Sequence, residues 1–228
     1  MNFHDEFRKY AVKHRGISST TVDSFVSAVR NDYISPTIIE ERQLNIATMD
    51  VFSRLMMDRI IFLGVGINDY VSNIIQAQLL FLESVDAKKD IQIYMNSPGG
   101  SVYAGLGIYD TMQFVQPSIA TICTGMAASM GSVLLGAGTK GKRSSLRFSK
   151  TMLHQTSGGA YGNIQDAEIS MIEWKKTNEI LFQLLGEFCG KSADQVKNDA
   201  QRDLWLDAEQ ALEYGIIDEI VKTKKKGS

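Results

Sequence analysis

The sequence predicts an α/β protein with a central parallel sheet. From residue 58 onward, short apolar segments typical of buried strands alternate with longer segments of helical spacing. The only charged residue between Asp90 and Lys140 is Asp110. Strands alternating with helices predict parallel βαβ crossovers, and a long stretch with so little charge predicts a sheet covered on both faces.

The individual elements follow in chain order. Strands are predicted over 59–64, 90–96 and 118–124, and helices over 69–85, 101–115 and 163–188. The first helix places Ile75, Leu79 and Leu82 on one face, which is the spacing of a core-facing helix. The segment SPGG at 97–100 is a turn signal between a strand and a helix.

The last predicted helix, 163–188, is apolar on more than one side. Met171, Trp174 and Leu181 belong to one set, while Ile169 and Ile172 lie on other faces. Such a helix must be buried on more than one side, either in the core or against another subunit. Its position after the sheet favours a subunit contact.

Composition excludes several classes of protein. The chain has 228 residues, 44% of them hydrophobic and 22% charged, with a net charge of −2. These values exclude a disordered chain and disfavour nucleic acid as the main partner. Pro98 and Pro117 interrupt the stretch between Asp90 and Lys140 that is nearly free of charge, so we do not expect this stretch to span a membrane.

The cysteine and histidine content points to a reducing compartment and to no metal site. Two scattered cysteines, Cys123 and Cys189, do not form a disulfide framework, and three histidines are too few for clustered ligands. Residues 1–16 mix both charges and lack the apolar stretch of a signal peptide. We therefore expect a cytoplasmic protein.

The two ends of the chain differ from its centre. Residues 1–33 are an N-terminal arm, either a frayed terminus or a removable pro-segment, in which 21–30 has the pattern of a short amphipathic helix. Pro36 interrupts any such helix. Residues 222–228 form a basic tail that we expect to be flexible.

Ser129 is the first candidate for catalysis. It lies in GMAASMGS (125–132), between a predicted strand and an apolar run, where backbone N–H groups at a helix N-terminus point toward it. Small neighbours allow close backbone approach, which an exposed nucleophile with an oxyanion hole requires. The alternative is a small-residue seam for helix packing.

Three further segments supply complementary chemistry. Backbone N–H groups of SPGGSV (97–102) can face a carbonyl oxygen, although an ordinary turn is the alternative. His154 ends a predicted strand, and a neutral imidazole is the most suitable base for a serine hydroxyl. Asp203 has no evident structural role, unlike Asp207, which resembles a helix cap. Beside Leu204 and Trp205 we expect it to be a partly buried carboxylate that needs a partner, and a surface ion pair with Arg202 is the alternative. Together these groups form a set for acyl transfer, if they meet in space.

Four blocks carry a resemblance to a known family: IYMNSPGGSV, GMAASMGSVLL, MLHQ and RDLWLDAEQALEYGIIDEI. In this order they strongly resemble ClpP, the family of proteolytic subunits of ATP-dependent Clp proteases, over residues 50–221. The resemblance implies a crotonase-like fold of repeated ββα units, with the 163–188 helix as a protruding handle. It also implies a serine endopeptidase whose triad is Ser129, His154 and Asp203, with Gly100 and Met130 donating the oxyanion-hole N–H groups.

The resemblance further implies an assembly. Two stacked heptameric rings enclose a chamber in which unfolded polypeptides are cut to short peptides, and Arg202 contributes an inter-ring contact. A AAA+ unfoldase docks at a pocket matching Tyr94 and Phe114, residues 34–49 match the axial loops, and residues 1–33 match a pro-segment removed by self-cleavage. The partner uses ATP, so the chain itself needs no cofactor or metal.

Three departures from the family pattern stand near these positions. Ser144 replaces a usual aromatic residue, and Thr156 replaces a usual proline after the His-Gln pair. Leu146, Arg147 and Phe148 stand where the family usually has Leu-Pro-Asn. Two other functions stay open on sequence alone: a non-catalytic ring subunit, and an acyl-CoA enzyme of the same fold. The intact triad residues disfavour the first, and the lack of a suitable Glu near the two glycine-rich segments disfavours the second.

Overall fold

The computed structural model describes residues 37–42, 45–158 and 163–222. The strands are β1 (Thr37–Arg42), β2 (Asn45–Asp50), β3 (Ile60–Leu63), β4 (Ile91–Ser97), β5 (Ile119–Ala128), β6 (Arg143–Leu146), β7 (Lys150–Leu153), β8 (Leu204–Leu206) and β9 (Glu219–Val221). The helices are α1 (Val51–Met57), α2 (Asp69–Val85), α3 (Val102–Phe114), α4 (Met130–Gly136), α5 (Ile164–Cys189), α6 (Ala193–Asp199) and α7 (Ala208–Tyr214).

The chain divides into two compact units, one ending at Arg54 and the other beginning at Leu55. In the first unit, β1 and β2 pair antiparallel, with Thr37 opposite Asp50 and Arg42 opposite Asn45. The short helix predicted over 21–30 and the arm over 1–33 lie outside the described residues, as does the tail beyond residue 222.

The second unit contains a seven-stranded sheet that confirms the predicted α/β class. Its strand order is β3-β4-β5-β6-β9, and each of these neighbours pairs in parallel. Beyond its pairing with β6, β5 continues and pairs in parallel with β7. β8 then pairs antiparallel with β7. The end of β5, β7 and β8 therefore lie side by side in the sheet, although they come from separate parts of the chain.

Helix boundaries follow local capping chemistry. α2 begins after Asn68, whose side chain accepts a hydrogen bond from the Val71 N–H at 2.9 Å, and it buries the three apolar residues predicted for its inner face. α7 begins with the predicted capping box, in which Asp207 and Gln210 each bond the other's backbone N–H at 2.9 Å. α5 ends at Gly190, whose positive φ of 67° suits a residue without a side chain.

Only one face of β3 and of β4 is fully buried. Ile91, Ile93 and Met95 of β4 belong to the hydrophobic core together with residues of α2, α3 and α4. The alternate residues on β4 are partly exposed, and Phe62 on β3 is 38% exposed. The expected coverage of both faces is therefore wrong for these strands in the described part of the chain. The low charge of this stretch does not require burial of both faces, because the open face also carries uncharged side chains such as Gln92.

α5 has two dissimilar halves. Its second half buries Thr177, Leu181, Phe182 and Leu185 against the core. In its first half Ile164, Ile169 and Ile172 are 78%, 66% and 56% exposed. Within the described residues one side of the second half is thus buried in the core, while Ile180, which is 45% exposed, and the first half of the helix present apolar side chains outward. No helix in this part of the chain has both the length and the apolarity that a membrane span needs.

A buried ion pair joins the ends of three helices. The Arg143 side chain, 1% exposed, donates from Nε and from one terminal nitrogen to the Asp218 carboxylate at 2.8 and 2.6 Å. Its terminal nitrogens also donate to the carbonyls of Gly136, Phe188 and Gly215, which lie at or just after the C-terminal ends of α4, α5 and α7. A cation is favourable at each of these ends because their last carbonyls carry partial negative charge.

The same pair determines the ionisation of Asp218. Burial alone raises the pKa of this carboxyl. The hydrogen bonds from the side chain and backbone of Arg143 and from the Gly141 N–H outweigh burial and hold that pKa well below its usual range. Asp218 is therefore charged throughout the neutral and mildly acidic range.

Candidate active site

Ser129 stands at the junction of β5 and α4. β5 extends to Ala128, four residues beyond its predicted end, because its last three residues pair with β7. The Ser129 N–H continues this pairing by donating to the Met152 carbonyl at 2.9 Å, and α4 starts at the next residue. The predicted strand-to-helix turn is thus present, with Ser129 at its corner.

The backbone of Ser129 adopts a conformation that side-chain-bearing residues rarely use. Its φ is 55° and its ψ is −125°. The Ser129 carbonyl accepts two hydrogen bonds from Ser132, one from the N–H at 2.9 Å and one from Oγ at 2.6 Å. A strained residue held by its surroundings is typical of functional sites.

His154 lies directly beside Ser129. It follows β7, and since Ala128 pairs with Met152, the residues after the two strands are close in space. The His154 Nε2 and Ser129 Oγ are 2.8 Å apart. If the hydroxyl donates, Nε2 must be the unprotonated ring nitrogen, and the proton of the neutral imidazole then sits on Nδ1.

Asp203 faces the other ring nitrogen. It precedes β8, and the pairing of Leu204 with Leu153 places it opposite His154. Its Oδ1 is 3.4 Å from His154 Nδ1, a long contact for a charge-assisted hydrogen bond. The Asp203 side chain is 60% exposed, whereas that of His154 is 22% exposed.

This exposure corrects one expectation. We expected burial of Asp203 beside Leu204 and Trp205, but Trp205 is itself 49% exposed and shields the carboxylate little. The alternative ion pair with Arg202 does not form between these two described residues, and the ion contact of Asp203 is with His154.

Two glycines bring backbone groups against the serine. Gly99 and Gly100 follow β4 with φ values of 87° and 150°. A Cβ at Gly99 would lie 2.7 Å from the Ser129 Cβ and 2.9 Å from the Met130 nitrogen, so no side chain fits there. Gly100 is bridged to Ile67, since the flanking Gly99 carbonyl and Ser101 N–H both bond the Ile67 backbone at 2.8 Å.

Met130 completes this cluster. It is the first residue of α4, a position whose N–H has no acceptor within the helix. Its side chain is 2% exposed and packs at Gly105 of α3, where an added side chain would overlap it. The structure therefore brings Ser129, His154 and Asp203 together and places Met130 next to Ser129. Gly100, the fifth residue expected in the site, directly follows Gly99, whose backbone packs against Ser129.

Two cavities lie beside the segment that follows His154. One, about 520 Å³ in volume, runs along residues 154–157 and 201–203. The other, about 650 Å³, is lined by residues 100–103 and by α5 residues that include Ile169, Trp174 and Thr177. α5 was not expected in the site, and Trp174 was visible in the sequence only as a position of a helix-packing pattern.

The remaining expected residues lie elsewhere on the second unit. Tyr94 is on the partly open face of the sheet, in register with Phe62, and Phe114 is 75% exposed at the end of α3. Arg202 lines the smaller cavity next to Asp203. Among the described residues, no group of three or more His, Cys, Asp or Glu is placed to hold a metal ion.

Neither cysteine competes with Ser129 as a nucleophile. Burial raises the pKa of the Cys123 thiol, and burial raises that of Cys189 to about 11. Both thiols are therefore protonated at neutral pH, and a protonated thiol is a poor nucleophile.

Comparison with known proteins identifies the family. The sequence model described as Clp protease matches residues 42–224. A protein of Porphyromonas gingivalis is 57% identical over 222 residues, which is 97% of this chain and all of that protein. Relatives in Bacteroides fragilis and Bacteroides thetaiotaomicron are 57% and 54% identical over 220 residues, 96% of this chain and all of each relative. All three are named "ATP-dependent Clp protease proteolytic subunit".

These matches cover nearly the whole chain and confirm the resemblance carried by the four sequence blocks. They also confirm the expected fold and the prediction of a proteolytic subunit with serine peptidase activity. An acyl-CoA enzyme of the same fold is thereby excluded. The chain belongs to the Clp protease family.

Proposed function

We propose that Ser129, His154 and Asp203 are the catalytic triad of a serine endopeptidase that cuts unfolded polypeptides to short peptides. The observation that carries this proposal is the 2.8 Å approach of His154 Nε2 to Ser129 Oγ. This contact pairs a nucleophile with a general base at hydrogen-bond distance.

In the first step Ser129 Oγ attacks the carbonyl carbon of the scissile peptide bond, and His154 Nε2 takes the hydroxyl proton. The carbonyl oxygen becomes an oxyanion in the tetrahedral intermediate. We assign its stabilisation to the N–H groups of Gly100 and Met130, because Gly99, the residue before Gly100, packs against both Ser129 and the Met130 nitrogen.

In the second step His154 returns the proton to the leaving amine, and the C–N bond breaks to give an acyl-enzyme. Water then attacks the ester with His154 again as base, and Ser129 is released with its proton. The Asp203 carboxylate accepts a hydrogen bond from His154 Nδ1–H. This bond selects the reactive tautomer and stabilises the imidazolium formed in each step.

The proposal includes a ring assembly. We assign the exposed apolar first half of α5 to the contact between two stacked heptameric rings, with Arg202 in the same contact. Ile164, Ile169 and Ile172 are more than half exposed, and contiguous apolar surface of this kind marks subunit contacts. The expected docking of a AAA+ unfoldase is assigned to the open sheet face around Tyr94 and to Phe114.

We also propose where the protein acts and which cofactors it needs. We assign the protein to the cytoplasm, with ATP hydrolysis in the unfoldase and with no cofactor or metal of its own. Peptide hydrolysis in the presence of excess chelator tests the last point: activity must persist, and its loss with recovery on adding a metal would contradict it.

A fluorophosphonate probe tests the triad. The purified chain is treated with the probe and its intact mass is measured beside Ser129→Ala. We expect one adduct on the wild-type chain and none on the variant, because only an activated hydroxyl reacts at a useful rate. An adduct on both proteins, or peptidase activity retained by Ser129→Ala, contradicts the assignment.

A further inference from the structure

The segment that follows His154 belongs to neither a helix nor a strand. We call residues 154–158 the histidine loop. Residues 154–157 line the smaller cavity, and Ser157 also lines the larger one. The loop therefore carries the proposed base at its first residue and contributes residues to the walls of both cavities.

Asn178 of α5 binds the middle of this loop. Its side-chain Oδ1 accepts two hydrogen bonds from Thr156, one from the backbone N–H at 2.9 Å and one from Oγ1 at 3.2 Å. A backbone N–H can only donate, so this contact fixes which atom of the Asn178 amide faces the loop. Both residues are half-buried, which shields these bonds from water.

Trp174 contacts the end of the same loop. It lies four residues before Asn178, on the same face of α5. A side chain at Gly158 would overlap the Trp174 indole, so the ring packs directly on the loop backbone. Thr177, between these two residues, is 4% exposed, so this part of α5 is fixed against the body of the protein.

The two contacts matter because the other support of His154 is weak. Asp203 is 60% exposed and its carboxylate is 3.4 Å from Nδ1. A long, solvated contact of this kind orients a ring loosely. The loop anchored on α5 fixes the backbone from which the imidazole extends, two residues before Thr156.

We propose that Asn178 is a positioning residue for the reaction: through Thr156 it holds His154 so that Nε2 stays against Ser129 Oγ. This inference rests on the proposed triad. Asn178 does not touch the reacting atoms, so its effect is on the rate at which Ser129 is acylated.

The test compares the second-order rate of fluorophosphonate labelling in four variants with that of the wild type. Asn178→Ala removes the shared acceptor, and we expect labelling to slow about tenfold, the size expected for loss of two neutral hydrogen bonds. Thr156→Ala removes one bond, and we expect about a threefold loss. Thr156→Ser keeps both donors and should restore the wild-type rate.

Gln183→Ala is the matched control, because it too removes a side-chain amide from α5, but at an exposed position. We expect it to label at the wild-type rate. For a short peptide substrate, kcat of Asn178→Ala should fall in step with the labelling rate while KM stays within about twofold, since the change acts on His154 and not on binding.

Sedimentation velocity and thermal melting accompany each variant. If Asn178→Ala assembles poorly, the Thr156→Ala and Thr156→Ser pair decides the matter. Equal labelling rates in Asn178→Ala, Thr156→Ala and wild type overturn the inference, as does an equal loss in Gln183→Ala. Absence of labelling on the wild-type chain refutes the triad itself, which distinguishes the two failures.

Discussion

Arg143–Asp218 and His154–Asp203 are two pairings of a carboxylate with a basic side chain, and they differ in almost every physical respect. Arg143 is 1% exposed and Asp218 13%, and two short bonds join them. His154 is 22% exposed, Asp203 is 60% exposed, and one contact of 3.4 Å joins them. The first pair is saturated with further hydrogen bonds, whereas the second borders a cavity.

The two pairs meet different requirements, one for stability in the core and the other for access to substrate and water. A buried pair is stable only when every remaining donor has an acceptor, and Arg143 meets that condition at three helix ends. An imidazole that must gain and lose a proton in each turnover needs access to substrate and water. The His154–Asp203 pair is therefore accessible but less rigidly held than the buried pair. We assign part of the positioning of His154 to the anchored histidine loop.

Asp203→Asn gives the largest expected effect on the open pair. An amide in place of the carboxylate can donate to Nδ1 and select the wrong imidazole tautomer, so we expect kcat/KM for a peptide to fall on the order of 10⁴. The melting temperature should stay within about 1 °C, because an exposed carboxylate contributes little to stability. A large loss of stability would show that the two pairs are less different than their geometry indicates.

Asp218→Asn is the same substitution in the buried pair, and it should have the opposite outcome. Removing the charge leaves the Arg143 guanidinium buried without its counter-ion, which costs about 3–5 kcal/mol of unfolding free energy. Urea unfolding at fixed protein concentration measures this loss. The fraction of Asp218→Asn that remains folded and assembled should keep the wild-type rate of fluorophosphonate labelling at Ser129. A folded variant whose Ser129 does not react would contradict a purely stabilising role for the buried pair.

Acid titration sharpens the same comparison at smaller amplitude. The pKa of Asp218 is lower in the folded than in the unfolded chain, so the pair's contribution is complete above pH ~4. It is lost as the pH falls below that value toward the folded-state pKa. Between pH 5 and pH 3 we expect the urea midpoint of wild type to fall more steeply than that of Asp218→Asn. Parallel curves would contradict the assigned linkage.

Asp207 supplies the smallest effect and a control for both pairs. Its carboxylate caps α7, a task that an Asn side chain performs equally well. Asp207→Asn should therefore leave stability and activity unchanged, while Asp207→Ala should cost about 1 kcal/mol of unfolding free energy. A larger loss in Asp207→Asn would mean that charge, rather than hydrogen bonding, stabilises this helix end.

Local sequence signals predicted many of the elements closely. The α2 helix was bounded correctly at 69–85 by its apolar spacing, and the capping box at Asp207 was visible in sequence. β5 was predicted too short, because its last residues, Gly125 to Ala128, are small or flexible and lack strand propensity. They form a strand because β7 pairs with them, and that contact is not local.

The residues of the candidate site were singled out from the sequence, but their geometry was not predicted. Sequence identified Ser129, His154 and Asp203 as complementary groups, and the parallel and antiparallel pairings of β7 bring them together. The exposure of Asp203 depends on how Trp205 packs, and the link from Asn178 to Thr156 depends on where α5 lies. Both are tertiary facts without a local pattern.

The Arg143 cluster also constrains how the chain matures during synthesis. Gly136 lies 7 residues before Arg143, whereas Phe188, Gly215 and Asp218 lie 45, 72 and 75 residues after it. A nascent chain that has not yet emerged through Asp218 therefore holds a cation destined for the core while the Asp218 carboxylate that pairs with it is missing. Completion of the native core must wait for that segment, and until then the partly made protein is a natural substrate for chaperones.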